Sequence, residues 1–204
     1  MCNHKYTRCQ IAVVGIDGSG KSSMVPFICQ YINSHGRKKA TVKRAKGPNA
    51  DLMEKYAQGL EDNITSLLKF HAYSFDLLEK VDQISRDQND FDVIIWDRHV
   101  PCLHAYFSSL HIDTGVVEHF FKGLSMPDIY LYLDVDPTVA YERIKRRGEI
   151  KRLETIDFLS KVGTEYNHLC TKMNMIRIDA NQDIVGVRKS ILEVIGGDIL
   201  HNDL

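Results

Sequence analysis

Ile11-Ala12-Val13-Val14-Gly15-Ile16-Asp17-Gly18-Ser19-Gly20-Lys21-Ser22 decides how the rest of this 204-residue chain is read. Ile11 to Gly15 is a short apolar run rich in β-branched residues, bounded by a glycine-dense turn, which reads as a buried strand. Gly15 to Ser22 then matches G-x-x-x-x-G-K-[ST]. Glycines let a backbone turn its N–H groups inward onto phosphate oxygens, and the helix that follows adds its positive end. In such a loop the lysine, here Lys21, reaches the β and γ phosphates, and the Ser22 hydroxyl sits on magnesium. A chance match in a glycine-rich turn is the competing reading. The strand before the motif and the helix after it argue against chance. The nucleotide-cradling residues are Gly15, Ile16, Asp17, Gly18, Ser19, Gly20, Lys21, Ser22 and Ser23.

Outward from this loop, strands alternate with helices. The patterning predicts helices over Ser22–His35, Leu52–Gly59, Ile64–Ile84, Cys102–Leu110, Gly115–Lys122, Thr138–Arg147, Ile156–Lys172 and Ile184–Ile195. It predicts strands at Ala40–Arg44, Phe91–Trp96, Ile129–Leu133 and Met175–Ile178. Gly36 is placed to end the first helix, and Lys46 to Asn49 read as a turn. This alternation predicts an α/β fold with three layers, a five-stranded parallel sheet covered on both faces. No repeat, low-complexity tract or long linker appears, so residues 1–204 read as one domain with a short lid near 146–155. Ligands are expected beyond the carboxyl ends of the strands.

Composition narrows the function. Hydrophobic residues make up 44% and charged residues 26%, ordinary for a globular chain and unlike a disordered one. Lys plus Arg number 26 against 27 Asp plus Glu, a net charge of −1, so no positive field points to nucleic acid. The apolar runs fall short of the roughly 20 residues of a membrane span. The first ten residues lack the apolar core of a secretory signal. Cysteines at 2, 9, 29, 102 and 170 are odd in number and form no Cys-x-x-Cys pair, which fits a reducing cytoplasm.

Two further features point to chemistry. Asp97 follows the buried strand FDVIIW and is placed to hold magnesium beside Ser22. Its neighbour Arg98 can clamp a moving phosphoryl group, although a strand-end ion pair is a common neutral feature. Arg143, Lys145, Arg146, Arg147, Lys151 and Arg152 crowd into ten residues around Gly148. They read either as a dipole-favoured helix end or as a lid bringing arginines to developing charge. Asn-Lys-x-Asp is absent, and Asp97 after its strand is followed by Arg98-His99-Val100 rather than by the spacing of Asp-x-x-Gly, which argues against a GTPase. His71, His99 and His104 fit no zinc spacing and are expected to play ordinary roles.

The stretches IAVVGIDGSGKSS, VIIWDRHVPCLHAY and PDIYLYLDVDPTVAYERIKRRGEIKRLE together resemble the thymidylate kinase family of P-loop nucleoside monophosphate kinases, over about residues 10 to 195. The resemblance implies ATP-dependent phosphorylation of dTMP or a related pyrimidine nucleotide in nucleotide biosynthesis, with magnesium, by a cytoplasmic homodimer joined through helices such as Ile64–Ile84. It implies catalytic roles for Lys21, Arg98, Arg152 and Asp17. Arg143, Arg147 and Asn181 would join the ATP site, Asn181 through an I-D-A-x-Q segment near the adenine. The acceptor would meet Asp17, Arg44, Phe70, Ser74, Arg98, Tyr106 and Tyr166, with Phe70 stacking on the base.

The departures concentrate at that acceptor. Ser74 stands where the family has a base-reading arginine. Lys43-Arg44-Ala45-Lys46-Gly47-Pro48 replaces the segment that grips the monophosphate. Pro101 to His104, and Phe107 after Tyr106, replace small polar residues. The phosphoryl-transfer residues are retained while the base pocket is altered, which bears on selectivity. Two alternatives stay open: a kinase of a nucleoside or other small molecule with Asp17 as base, and a nucleotide-binding protein without catalysis.

Overall fold

The computed structural model describes residues 8–35, 38–57, 63–86, 91–148 and 150–198. Five strands, β1 (Cys9–Val14), β2 (Ala40–Arg44), β3 (Val93–Asp97), β4 (Ile129–Asp134) and β5 (Ile176–Asp179), form one sheet in the order β2-β3-β1-β4-β5. Every pairing is parallel. The helices are α1 (Lys21–His35), α2 (Pro48–Tyr56), α3 (Asn63–Arg86), α4 (Val100–Ser108), α5 (Val116–Phe120), α6 (Pro137–Arg146), α7 (Ile156–Lys172) and α8 (Ile184–Asp198). The α/β sheet expected from the alternation is therefore present, strand for strand.

Near-continuous apolar strands suit a sheet covered on both faces. Ile11, Val13, Ile95, Leu131 and Leu133 are wholly buried, as is Trp96. On one face Tyr132 stacks on Tyr166 of α7 with ring centroids 5.2 Å apart. On the other, Arg188 of α8 lies 4.6 Å over the Phe27 ring of α1. Local signals set several helix starts. Asp136 accepts from the Thr138 N–H at 2.8 Å with Pro137 next in the chain, and Thr155 accepts from the Phe158 N–H at 3.2 Å, both ordinary caps. Pro26 sits inside α1, on its exposed side, and the helix continues past it to His35.

Three expectations shift. β3 starts at Val93 rather than Phe91, whose side chain is exposed. The turn expected at Lys46 to Asn49 ends two residues early, because α2 starts at Pro48, four residues before the Leu52 expected. Its cap comes from α3 and not from its own sequence. Gly36 and Gly59, expected at helix ends, lie outside the described residues, as does Cys2.

The sheet order reverses at β1, whose two neighbours β3 and β4 follow it in sequence but lie on opposite sides. Such a reversal opens a crevice at the carboxyl ends. A buried polar bridge fixes the opposite end: Trp96 Nε1 donates to Gln10 Oε1 at 2.9 Å, and Gln10 Nε2 donates to Ser125 Oγ at 2.8 Å. Gln10→Leu strands the indole N–H in the core. It is expected to cost about 1–3 kcal/mol in urea unfolding, and a loss within error of zero contradicts the bridge.

Candidate active site

The phosphate loop leaves β1 and enters α1 at Lys21. Two of its glycines are obligatory. Gly15 has φ +146° and a Cβ there would lie 2.7 Å from the Leu133 carbonyl; Gly18 has φ +81° and a Cβ would lie 2.4 Å from the Ala140 carbonyl. The loop is thus seated against β4 and α6 with no room for side chains. Ser22 and Ser23 are exposed at the start of α1.

Lys21 is buried, and its Nζ donates to the carbonyls of Gly15 at 2.9 Å and Ile16 at 2.6 Å, and to Ser19 Oγ at 3.4 Å. Burial, and then the positive charge of Arg98, push its pKa down to about 8.

Arg98 follows β3 in the left-handed region, at φ 71°. That geometry is costly for a non-glycine residue. Its backbone N–H donates to the Val13 carbonyl at 3.2 Å, and its guanidinium hydrogen-bonds the Asp17 carboxylate. Asp17 Oδ1 also lies 4.0 Å from Lys21 Nζ. Burial disfavours the charge on Asp17, but Arg98 and then Lys21 hold its carboxyl well below the usual range. Arg98 also lies 5.4 Å over the Tyr106 ring.

Asp97, at the end of β3, is half-buried, and Arg44 at the end of β2 brings its Nε to 3.9 Å from Asp97 Oδ2. The register Arg44↔Asp97 places the two side by side at the carboxyl edge. Lys46 bonds Asp51 at 2.7 Å and Glu54 at 2.6 Å. Glu54 also accepts from the Tyr73 hydroxyl. Burial first, then that bond, raise the Tyr73 pKa, and the charges of Arg98 and Asp17 both reach it. Asp17, Lys21, Arg44, Tyr73, Asp97 and Arg98 therefore share one end of the sheet.

Arg143, Arg147 and Asn181 bond within the α6, 147–154 and β5–α8 region. Arg143 donates to the carbonyls of Ala180 at 2.8 Å and Gln182 at 3.2 Å. Asn181 accepts from the Asp136 N–H at 2.8 Å. These bonds tie α6 to the β5–α8 turn. Arg147 pairs with Glu154 at 2.6 Å, and buried Glu154 also accepts from the Lys151 N–H at 2.8 Å. Residues 151–154 form a turn, with Glu154 N–H donating to the Lys151 carbonyl at 2.9 Å and Arg152 exposed upon it.

Three of the residues that the resemblance implies at the acceptor are buried. Phe70 has 0% exposure and packs edge-on against Phe107, ring centroids 5.2 Å apart. Ser74 is also wholly buried, its Oγ donating to the Phe70 carbonyl at 2.8 Å. Tyr166 is buried behind Tyr106, its hydroxyl donating to Cys102 Sγ at 3.0 Å. Phe107 also packs against Tyr73, ring centroids 6.0 Å apart. His99 is buried among Trp96, Phe121 and Tyr130 and pushed down to about 3 by burial, so it stays neutral. His104 bonds Thr114 Oγ1 at 2.9 Å. Among the described residues, no group of three His, Cys, Asp or Glu side chains is arranged to hold a metal ion.

The family model described as thymidylate kinase matches residues 13–191, from within β1 to within α8. The chain belongs to the thymidylate kinase family. It is similar to a thymidylate kinase of Pseudoalteromonas translucida, 29% identical over 198 residues, covering 91% of this chain and 94% of that protein. A probable thymidylate kinase of Sulfolobus acidocaldarius is 32% identical over 191 residues, 91% of each chain. A thymidylate kinase of Legionella pneumophila is 28% identical over 207 residues, 94% of this chain and 96% of its own. As a member of this family the chain is an ATP-dependent nucleoside monophosphate kinase.

Local motifs marked the phosphate loop and Asp97–Arg98, but not Glu54, Asp76 or Lys80. Those three act on partners far away in sequence and carry no local signature. The Lys21 environment yields a pH test. Its charge is held below about pH 8 and lost above, so kcat/KM for ATP, which reports the free enzyme, is expected to fall above that pH. The kcat of the loaded enzyme, where phosphates favour the ammonium, persists to higher pH. Identical profiles for the two constants contradict this.

Proposed function

We propose that this kinase uses dTMP or a close pyrimidine relative as acceptor, with Lys21, Arg98 and Arg152 stabilising the charge on the transferring group. The observation that carries this reading is the convergence of the phosphate loop with Arg98 and Arg44 at one sheet end. An acceptor phosphate oxygen attacks the γ phosphorus, the bond to the β-phosphate oxygen breaks, and ADP leaves with the electron pair. The acceptor is already ionised, so no general base is required, and positioning and electrostatics carry the rate. A hydroxyl acceptor would need a base. Asp17, paired with Arg98 and held strongly acidic, is a poor one. Two arginines brought to the phosphate path also exceed what a pure binder needs.

Arg44, 72% exposed at its side chain, is the cation we assign to the acceptor phosphate, since Lys46 already faces two carboxylates. The donors near the loop fit magnesium. The Ser22 hydroxyl is exposed and Asp97 supplies one carboxylate, a hard all-oxygen set of few protein ligands of the kind that leaves room for phosphates and water. Ser22 and Asp97 would hold the ion, which when bound neutralises charge on the β and γ oxygens. Gly15 to Ser23 would line the triphosphate, with Arg143, Arg147 and Asn181 shaping the adenine end and the lid.

Burial of Phe70 and Ser74 supports relaxed reading of the base. We therefore expect dTMP, dUMP and dCMP to fall within about tenfold of one another in kcat/KM, as when a base-reading hydrogen bond is lacking. A coupled ADP-release assay over nucleosides and nucleoside monophosphates tests the assignment. Turnover of monophosphates and its loss in Lys21→Ala, with an unchanged circular dichroism spectrum, is the expected result. Turnover of nucleosides alone, or wild-type kcat in Lys21→Ala, refutes it.

Ile64, Leu67, Leu68 and Phe75 lie along one face of α3 with 69%, 42%, 49% and 52% exposure. This apolar stripe supports a homodimer joined through α3. Leu68→Glu is expected to turn a dimer into a monomer in sedimentation equilibrium, and a wild type that sediments as a monomer refutes the pairing. Among the described residues no helix is long and apolar enough to cross a membrane. Cys9, Cys29, Cys102 and Cys170 are free thiols, which supports the cytoplasmic reading.

A further inference from the structure

The segment from Arg44 to Ala50 joins β2 to α2 and carries both cations at the acceptor side. Its backbone is held by two side chains one turn apart on α3. Lys80 Nζ donates to the carbonyls of Arg44 at 2.7 Å, Ala45 at 3.3 Å and Lys46 at 2.5 Å. Asp76, 1% exposed, accepts from the N–H groups of Gly47 at 2.9 Å, Asn49 at 3.1 Å and Ala50 at 2.8 Å, and from Asn49 Nδ2 at 2.9 Å.

The two charges work on opposite polarities of the same loop. The ammonium collects carbonyls up to residue 46, and the carboxylate collects amides from residue 47. Asp76 thereby caps α2, whose own N-cap residue is Gly47 with no side-chain bond. Gly47 has an extended backbone, φ −140°, so its small size matters for space alone: a Cβ would lie 2.8 Å from Asp76 Cγ and 3.0 Å from Lys80 Nζ. A carboxylate at a helix N-terminus is held by the donors and the dipole. It also occupies the amides that could otherwise take an anion, leaving the cationic side chains to do so.

We infer that Asp76 and Lys80 are positioning residues for the acceptor phosphate. They fix the peptide planes from 44 to 50 and so aim Arg44 at the edge where Asp97 and Arg98 sit. This rests on the assignment of Arg44 to the acceptor. The same helix carries the exposed apolar face of Ile64, Leu67 and Leu68, so α3 links that face to the acceptor loop.

Lys80 is the residue to change, because it is partly exposed and Lys80→Met keeps the aliphatic stem. Steady-state kinetics with dTMP and ATP is expected to show the dTMP KM raised by about tenfold or more, a size consistent with sub-ångström misplacement. The ATP KM should stay within about twofold, and Lys80→Arg should recover part of the loss because guanidinium can still donate to carbonyls. Asp76→Asn, which turns an amide toward loop N–H groups, should act in the same direction.

A second arm uses inorganic phosphate as probe and follows the Arg44 Nε–H signal by NMR in the wild type and in Lys80→Met. The phosphate-induced shift of that signal is expected to weaken in the variant. A wild type inert with dTMP defeats the acceptor assignment, and the phosphate arm alone then decides the clamp. Equal rises in both KM values, no rise in either, or an undiminished phosphate response of Arg44 overturns the clamp.

Discussion

The ion pair between Asp17 and Arg98 is the constraint on which the site depends. Asp17 stands in the phosphate loop after β1, and Arg98 stands one residue beyond β3. Their bond joins two strand ends that are neighbours in the sheet and 81 residues apart in the chain. Arg98 holds a left-handed backbone, φ 71°, which costs about 1–3 kcal/mol in a non-glycine residue. The bond from its N–H to Val13 and the carboxylate ahead of it keep it there. The pair also keeps Asp17 ionised, while at Lys21 burial and then Arg98 lower the proton affinity and Asp17 opposes them. One contact therefore places the guanidinium, silences a carboxylate as a base and tunes the lysine.

Around that pair, close approaches set the remaining walls. Gly18 against the Ala140 carbonyl seats the phosphate loop on α6. Arg143 ties α6 to the β5–α8 turn, and Glu154 bonds both Arg147 and the Lys151 amide. On the acceptor side, Asp76 and Lys80 do the equivalent for the loop holding Arg44. One side of the site is braced by bonds among α6, residues 147–154 and the β5–α8 turn, and the β2–α2 loop by α3. Glu54 also feels the Lys151 charge, so these two sides meet electrostatically.

Most of the sheet was legible because its information is local. Apolar runs such as Val93 to Trp96 and the period of the helices mark elements without knowledge of their partners. The phosphate loop was legible for the same reason, since a tight turn demands glycines in sequence. α2 was misplaced because its start is set by Asp76, 26 to 29 residues further on. The fate of Phe70 was equally hidden. On its helix an aromatic reads alike whether it faces a base or the core, and only the approach of Phe107 from α4 decides. Ser74 signalled a changed pocket, but not that its hydroxyl would close on its own helix.

The most direct test of the central claim is a crystal structure of the protein with a non-hydrolysable ATP analogue. The expected result is a triphosphate running along the amides of residues 15 to 22, with Lys21 Nζ moved from the Gly15 and Ile16 carbonyls onto phosphate oxygens and Arg98 directed at the γ position. An analogue bound elsewhere, or an Arg98 guanidinium facing away from the γ-phosphate, would contradict it.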